Sequence, residues 1–298
     1  MFACVKAPGS CGELVQGTIG GNNFLITCPI NIYSKAIVTP SCSSQHLDAG
    51  EKTKLAVKKT LKYLNISNVN FQITVTSNLP QGKGMASSSA DISAASQAVA
   101  ISFGKTLTPD EIARIAISIE PTDGIFFPGI VMFDHVLGYN TSSLGNPPAI
   151  TIAVFDGGGE VDTLYFNRRK DLVKLNTEKE HQVQQALSLV KRGLSKSDAY
   201  LIAKGATMSA LANQTILYKP YLEKIIKISD RYGAIGVNVA HSGTVVGVMF
   251  NSNLMDKYDD CLIALQDCCP DIKFLQTVQL ISGGLHLVGD INDQKKLL

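Results

Sequence analysis

No stretch of this chain approaches the ~18 unbroken apolar residues that a membrane-crossing helix needs, which excludes an integral protein of that kind. An excess of one charge is also missing. The 27 Lys and Arg stand against 25 Asp and Glu, a formal +2, and the basic residues are scattered, so the concentrated basic footprint of a nucleic-acid binder is absent. Any anionic ligand must be held locally. The seven cysteines are an odd number with no CxxC pair, which speaks against zinc and against a disulfide framework and fits a reducing compartment. Met1 to Lys6 offers no cationic segment leading into an apolar core, so no secretory signal is read there and a cytoplasmic location is expected. The chain has no internal repeat, no low-complexity tract, no GxxxxGK[ST] and no complete GxGxxG, which removes the two commonest nucleotide-binding loops.

What is there is ordinary globular usage, 45% hydrophobic and 17% charged over 298 residues, long enough for two cores. Phe2 to Lys6, Phe24 to Thr27 and Tyr33 to Val38 are rich in β-formers between Gly, Pro and Asn, and predict short strands. Glu51 to Leu64 sets Val57, Leu61 and Leu64 on one face against lysines on the other, a surface helix, and Phe71 to Thr76 alternates as a strand. Ala90 to Phe103, dense in Ala, Ile and Val, predicts a helix buried on most sides. Thr108, Pro109 and Glu111 supply an N-cap, a first-position proline and a capping-box acid for a helix running to about Glu120, ended by Pro121. Ala149 to Phe155 predicts a strand followed by the flexible run Gly157 to Gly159. Helices are then expected over Thr177 to Val190, Asp198 to Leu211, Tyr221 to Tyr232 and near Leu254 to Gln266, with strands Val237 to Ala240 and Thr244 to Phe250 about the turn His241 to Gly243, and a closing strand pair.

One segment carries chemistry on its face. Asn78 to Asp91, NLPQGKGMASSSAD, follows a strand and opens a helix, so main-chain amides and the positive end of a helix dipole converge where an anion would sit. Gly82 and Gly84 lack the Cβ that would hold the main chain away, Ser87, Ser88 and Ser89 add hydroxyls, and Lys83 adds a charge. The same residues also read as a serine-rich N-cap after a loop.

Pro80, Gly82, Gly84, Ser87, Ser88 and Ala90 resemble the central motif of the GHMP kinase superfamily, roughly PxGxGLGSSAA, with Met85 for its Leu and Ala86 for a Gly. APGSCGELVQG at Ala7 to Gly17 and GAIGVNVAHSGTVVGVMF at Gly233 to Phe250 are similar to its N-terminal and C-terminal motifs. The resemblance spans nearly the whole chain. It implies an α+β, two-domain fold, with a ribosomal-protein-S5-like domain over 1–155 carrying the ATP loop and a ferredoxin-like domain over 156–298. It also implies a kinase that uses ATP and Mg²⁺ on a small-molecule alcohol, with no nucleic-acid or membrane partner. The strings PGSCGELVQG, GKGMASSSAD and EPTDGIFFPGIVMFDH look most like the branch acting on an amino-acid alcohol, L-threonine, for the aminopropanol linker of cobalamin. Homoserine, a sugar or an isoprenoid alcohol is the alternative acceptor, and a non-catalytic sensor of the same fold is the alternative class.

The resemblance implies that Pro80 to Ser89, namely Pro80, Gly82, Lys83, Gly84, Met85, Ala86, Ser87, Ser88 and Ser89, binds the nucleotide, and that Ser88 and Glu120 bind the metal. Asp123, ahead of an FF-containing strand, corresponds to a base for the acceptor hydroxyl, with Asp134 beside His135 in reserve. Where mevalonate kinase carries a lysine after Pro-Gly this chain has Ser10, so that enzyme's Lys-Asp pair is missing. Glu13 is expected at the acceptor ammonium with Ser10 and Gly12 beside it, and His241, Ser242 and Gly243 at phosphate or substrate. Each has a structural alternative: a solvated helix-end acid for Glu120, a turn cap for Asp123, a strand-end carboxylate for Glu13, a core histidine for His241. Asp91, just inside the buried helix, is read as a carboxylate favoured by the helix dipole.

Overall fold

The computed structural model describes residues 2–41, 45–139, 141–161 and 163–288. Its first element answers a question the sequence left open. The predicted short strands are parts of two long ones, β1 (Ala3–Ile19) and β2 (Asn22–Pro40), joined at Gly20–Gly21 and paired antiparallel with register shifts between Pro8 and Gly9 and around Glu13. The Gly and Pro residues that suggested breaks are absorbed as bulges, which bend and twist a ribbon without ending it.

The chain continues through β3 (His46–Asp48), α1 (Glu51–Tyr63), β4 (Phe71–Ser77) and α2 (Ser87–Ser102). Then follow α3 (Pro109–Ile117), β5 (Ile130–Phe133), β6 (Thr141–Gly145) and β7 (Ile150–Asp156). α4 (Thr163–Asn167), α5 (Leu172–Lys196), α6 (Ala199–Ala212), α7 (Leu222–Arg231), β8 (Gly236–Val239), β9 (Val245–Asn251), α8 (Tyr258–Cys268), β10 (Lys273–Gln279) and β11 (His286–Leu287) complete it.

One curled sheet runs β10-β7-β9-β8-β1-β2-β4-β3, with β11 on β1, β5 on β2 and β6 on β5. The two closing strands do not pair with each other as expected: β10 lies against β7 and β11 against β1. The halves of the sheet meet where Glu13 of β1 is opposite Val239 of β8. Side chains gather in two apolar clusters. In one, α2 is sunk against β1 and β2 through Ala90, Ile92, Ala94, Ala95, Ala98 and Val99; in the other, Phe155, Val237, Val246, Val248 and Phe250 pack under Ala210, Leu222, Ile225 and Leu265. A helix with so few charges has to be buried on most sides, and α2 is, leaving Ser87, Ser88 and Asp91 at the cleft.

α3 carries the expected capping box, with Thr108 Oγ1 accepting from the Glu111 amide at 3.3 Å and the Glu111 carboxylate accepting from the Thr108 amide at 2.7 Å. It ends at Ile117, before Pro121 is reached. The FF pair is not in a strand either: Phe126 and Phe127 lie in turns ahead of β5 and pack against Phe133. β5, β6 and α4 have no counterpart among the predicted elements, because four- and five-residue elements carry too little periodicity to register. No described helix is long and apolar enough to cross a membrane.

Candidate active site

The loop between β4 and α2 opens on a cleft of about 730 Å³ whose wall includes Gly82, Gly84 to Ser89, the first turn of α1, Glu120 to Asp123, His135 and His241. The loop is pinned from behind. Ser10 and Gly12 of β1 donate main-chain bonds to Met85 O at 3.0 Å and Gly84 O at 3.4 Å, and Thr244 and Val245 donate to Lys83 O at 3.0 and 3.1 Å. Gly84 has φ +81°, and a Cβ there would lie 2.3 Å from Ala240 Cβ. Gly84→Ala is therefore expected to lower stability by about 1–3 kcal/mol, read as a shifted urea midpoint at unchanged m.

Ala86, at the position of a motif glycine, is held at φ 55°, ψ 26° and serves as the N-cap of α2. It has no side chain with which to cap, so the amides of Ser87, Ser88 and Ser89 are left for a ligand. This geometry, uncapped N–H groups at the positive end of a buried helix, is an anion site.

Across the cleft from that helix end, the Ser88 hydroxyl donates to Glu120 Oε1, and Glu120 Oε2 takes an ion pair from Lys52 Nζ at 2.5 Å. Glu120 lies just past the C-terminus of α3, where a negative charge opposes the helix dipole, and Lys52 is the cation that offsets it. Ser88 Oγ and one carboxylate oxygen in direct contact make a pair of hard donors within reach of one small cation. That suits Mg²⁺, which takes one or two protein oxygens and keeps its other positions for phosphates and water.

Ser89 turns away from the helix end. Its hydroxyl oxygen accepts from Thr122 Oγ1 at 2.9 Å and from the Asp123 amide at 3.0 Å, fixing the Glu120–Asp123 turn. Burial, then the charge of Glu120, raise the Asp123 carboxyl to about 6, with a hydrogen bond from Ser89 pulling the other way. Glu13, on the floor, is 4% exposed with Oε2 unpartnered; burial and then the charge of Asp123 hold it well above the usual carboxylate range. His241 Nδ1 meets Gln16 Oε1 at 3.0 Å while Nε2 is unpartnered, and its ring stands edge-on to His135 at 4.9 Å and to Phe166 at 5.0 Å. Burial holds both imidazoles neutral, His135 at about 4 and His241 well below its ordinary value.

Of the remaining expected site residues, Met85, Ser242 and Asp91 line the cleft, and Pro80, Lys83, Ser10, Gly12, Gly243 and Asp134 do not. Met85, although 1% exposed, contributes to the lining. Lys83 points outward to Asp156 Oδ2 at 2.9 Å and Gly159 O at 2.6 Å. Ser10 and Gly12 lie behind Glu13, Ser10 with a buried, unpartnered hydroxyl and Gly12 at φ +56° against the Val239 carbonyl. Ser242 reaches the wall, but Gly243 is packed on Lys83 O and Gly84, so that turn supports the loop. Asp134 caps its own turn, accepting from the amides of Val136 and Leu137 at 3.0 and 2.9 Å. Asp91 lines the cleft and accepts from Ser34 Oγ at 2.5 Å. Lys52, His135 and Gln16 were not singled out by the motifs. Lys52 gave no signal at all, being one of several lysines on the polar side of an amphipathic helix.

Residues 52–127 match the model of the GHMP kinases N terminal domain and residues 187–257 that of the GHMP kinases C terminal domain. An L-threonine kinase from Citrobacter freundii is 32% identical over 290 residues, 96% of this chain and 100% of that one. An L-threonine kinase from Salmonella typhimurium is 33% identical over 258 residues, 85% of each. Among solved structures, a homoserine kinase from Cytophaga hutchinsonii superposes with TM-score 0.67 at 16% identity, over 96% of this chain and 97% of that one. A Lactococcus lactis galactokinase bound to galactose gives TM-score 0.69 at 9% identity, over 96% and 95%. These last two share the fold.

Proposed function

The chain is a small-molecule kinase belonging to the GHMP family, and on that premise we propose that it transfers a phosphoryl group from ATP to the side-chain hydroxyl of L-threonine, giving O-phospho-L-threonine and ADP. The observation that carries the amino-acid acceptor is a set of buried, unpartnered atoms of opposite character in one cleft. Glu13 Oε2 is an acceptor awaiting a cation, and His241 Nε2 and His135 Nδ1 are ring nitrogens awaiting a polar partner. Buried polar atoms without partners are uncommon: an ammonium would satisfy Glu13 Oε2 and the lone pair that neutral His241 presents at Nε2 once its Nδ1–H donates to Gln16 Oε1, and a carboxylate would satisfy His135 Nδ1 in its N–H tautomer. An isoprenoid alcohol has no ammonium to offer Glu13.

The roles follow from position. The amides of Ser87, Ser88 and Ser89 bind phosphate oxygens, and Ser88 with Glu120 would hold Mg²⁺. Bound there, Mg²⁺·ATP supplies the phosphoryl group with its charge neutralised. Asp123 takes the proton from the acceptor hydroxyl, Glu13 orients the ammonium with the Nε2 lone pair of His241 as a second acceptor, and His135 meets the carboxylate; the carboxylate contact expected of His241 does not fit its tautomer. The domain boundary near residue 155, the cytoplasmic setting and the supply of phosphothreonine for the cobalamin linker belong to the same reading.

A coupled ADP-release assay tests it with L-threonine, L-serine, L-homoserine, 1-amino-2-propanol and mevalonate. L-threonine is expected to show the highest kcat/KM, roughly 10-fold or more above homoserine, since a displaced hydroxyl breaks in-line geometry. Preference for homoserine or mevalonate would transfer the assignment to that acceptor. ATP binding without turnover on any of them would make the protein a sensor.

A further inference from the structure

The cleft that receives a polyanion in this reading is walled by acids: Glu13, Glu51, Asp91, Glu120, Asp123 and Glu160. Among the described residues on that wall, Lys52 is the sole lysine or arginine. Lys83, the cation that the loop sequence offers, is held outside by Asp156 and Gly159. Like charges a few ångströms apart repel near a protein surface, so a triphosphate entering such a wall is opposed unless cations face it.

Lys52 is placed to be one of them. It is the second residue of α1, whose first turn lines the cleft, and its ammonium sits 2.5 Å from Glu120 Oε2, while Ser88 holds the other oxygen of the same carboxylate. Its side chain is 50% exposed against 4% for Glu120, so the buried acid is the fixed partner and the lysine the one with room to turn. Four rotatable bonds let that ammonium move several ångströms while α1 stays in place.

We propose that Lys52 is a triphosphate-binding residue, paired with Glu120 in this structure and contacting phosphate oxygens when nucleotide occupies the cleft. The proposal rests on the kinase reading above and adds a residue to it. Ser88 and Glu120 would hold a metal whose charge would offset that carboxylate in place of Lys52, leaving the ammonium free to meet the incoming phosphate charge.

The test is equilibrium binding of ATP and ADP, by displacement of a fluorescent ADP analogue in Mg²⁺ buffer. Lys52→Met is expected to weaken ATP by roughly 10- to 100-fold, the range of a charge-assisted hydrogen bond, with Lys52→Arg within about 3-fold of wild type. Lys54→Met, on the same helix but paired with Glu51, should bind as wild type. The loss should persist when Lys52→Met is made in a Glu120→Gln background; its disappearance there would mean that Lys52 acts only by holding Glu120, and would overturn the proposal. Wild-type affinity in Lys52→Met would overturn it as well. A wild-type protein that binds no ATP would overturn the kinase reading with it, which separates the two failures. If Lys52→Met does not fold, acetic-anhydride labelling of the native wild type read by mass spectrometry decides: Mg²⁺·ATP should protect Lys52 and leave Lys54 unchanged, and equal labelling of Lys52 with and without nucleotide would sink the proposal.

Discussion

Asp123→Asn should lower kcat by about 10²- to 10⁴-fold while leaving ATP affinity near wild type, the span that loss of a positioned general base covers. The geometry gives the reason. Asp123 lines the cleft between the Ser88–Glu120 pair and Glu13, so it stands between the phosphate end and the ammonium end of the bound amino acid. Burial and the Glu120 charge lift it to about 6, which lets a carboxylate be ionised at neutral pH yet basic enough to share a proton in the transition state. In the free enzyme, kcat/KM should therefore rise with pH through about 6, and the Asn variant should lose that limb.

A structural role predicts something different for the same substitution. A carboxyl whose folded pKa is raised binds more protons folded than unfolded between its ordinary value near 4 and about 6, so its burial opposes folding above about 6 and is neutral below about 4. Asn has no charge to bury. Asp123→Asn should then be more stable than wild type at pH 7, by roughly 1–3 kcal/mol, and the gain should shrink as pH falls through that window. A turn cap would instead lose stability on substitution. Near-normal turnover together with a lower denaturation midpoint would remove the base and leave only the cap.

Which of these features were legible in the sequence depends on how far apart the interacting residues lie. The Thr108–Glu111 box and the turn at His241–Gly243 rest on contacts within a few residues and were readable from spacing alone, and the burial of α2, although made by the distant β1 and β2, was readable from its lack of a charged face. The long β1–β2 ribbon was not, because Pro8, Gly12 and Gly17 look like strand breakers until the partner strand shows that they sit at register shifts and close approaches. The acids of the site were found through motifs, but their partners came from elsewhere: Lys52 meets Glu120 across 68 residues and His241 meets Gln16 across 225. Lys83 shows the converse error. A lysine between two loop glycines reads as phosphate-facing, yet Asp156, 73 positions on, draws it outward, and only the β7–β9 pairing that seats Asp156 beside Val245 reveals this.

Glu13→Gln should cost about 10²- to 10³-fold in kcat/KM for L-threonine, mostly in KM, with ATP affinity unchanged, because one member of a buried charge pair is removed while its shape is kept. Glu13 Oε2 has no hydrogen-bond partner among the described residues, and burial with the Asp123 charge favours its protonated form. An arriving ammonium reverses that preference, so substrate binding should release a proton at pH values between the pKa of Glu13 beside the ammonium and its raised value in the free protein. Calorimetry in buffers of different ionisation enthalpy measures this directly. Wild type should release a proton, Glu13→Gln should release none, and the wild-type KM for threonine should improve as pH rises while the variant's stays flat. Because the Asp123 charge is one cause of the shift, Asp123→Asn should lower the Glu13 pKa and reduce the proton released at a given pH, even though that variant barely turns over. If Glu13→Gln binds threonine as tightly as wild type, the ammonium lies elsewhere, and an unpartnered buried carboxyl on the cleft floor would have to be read as stored cost with no ligand to relieve it.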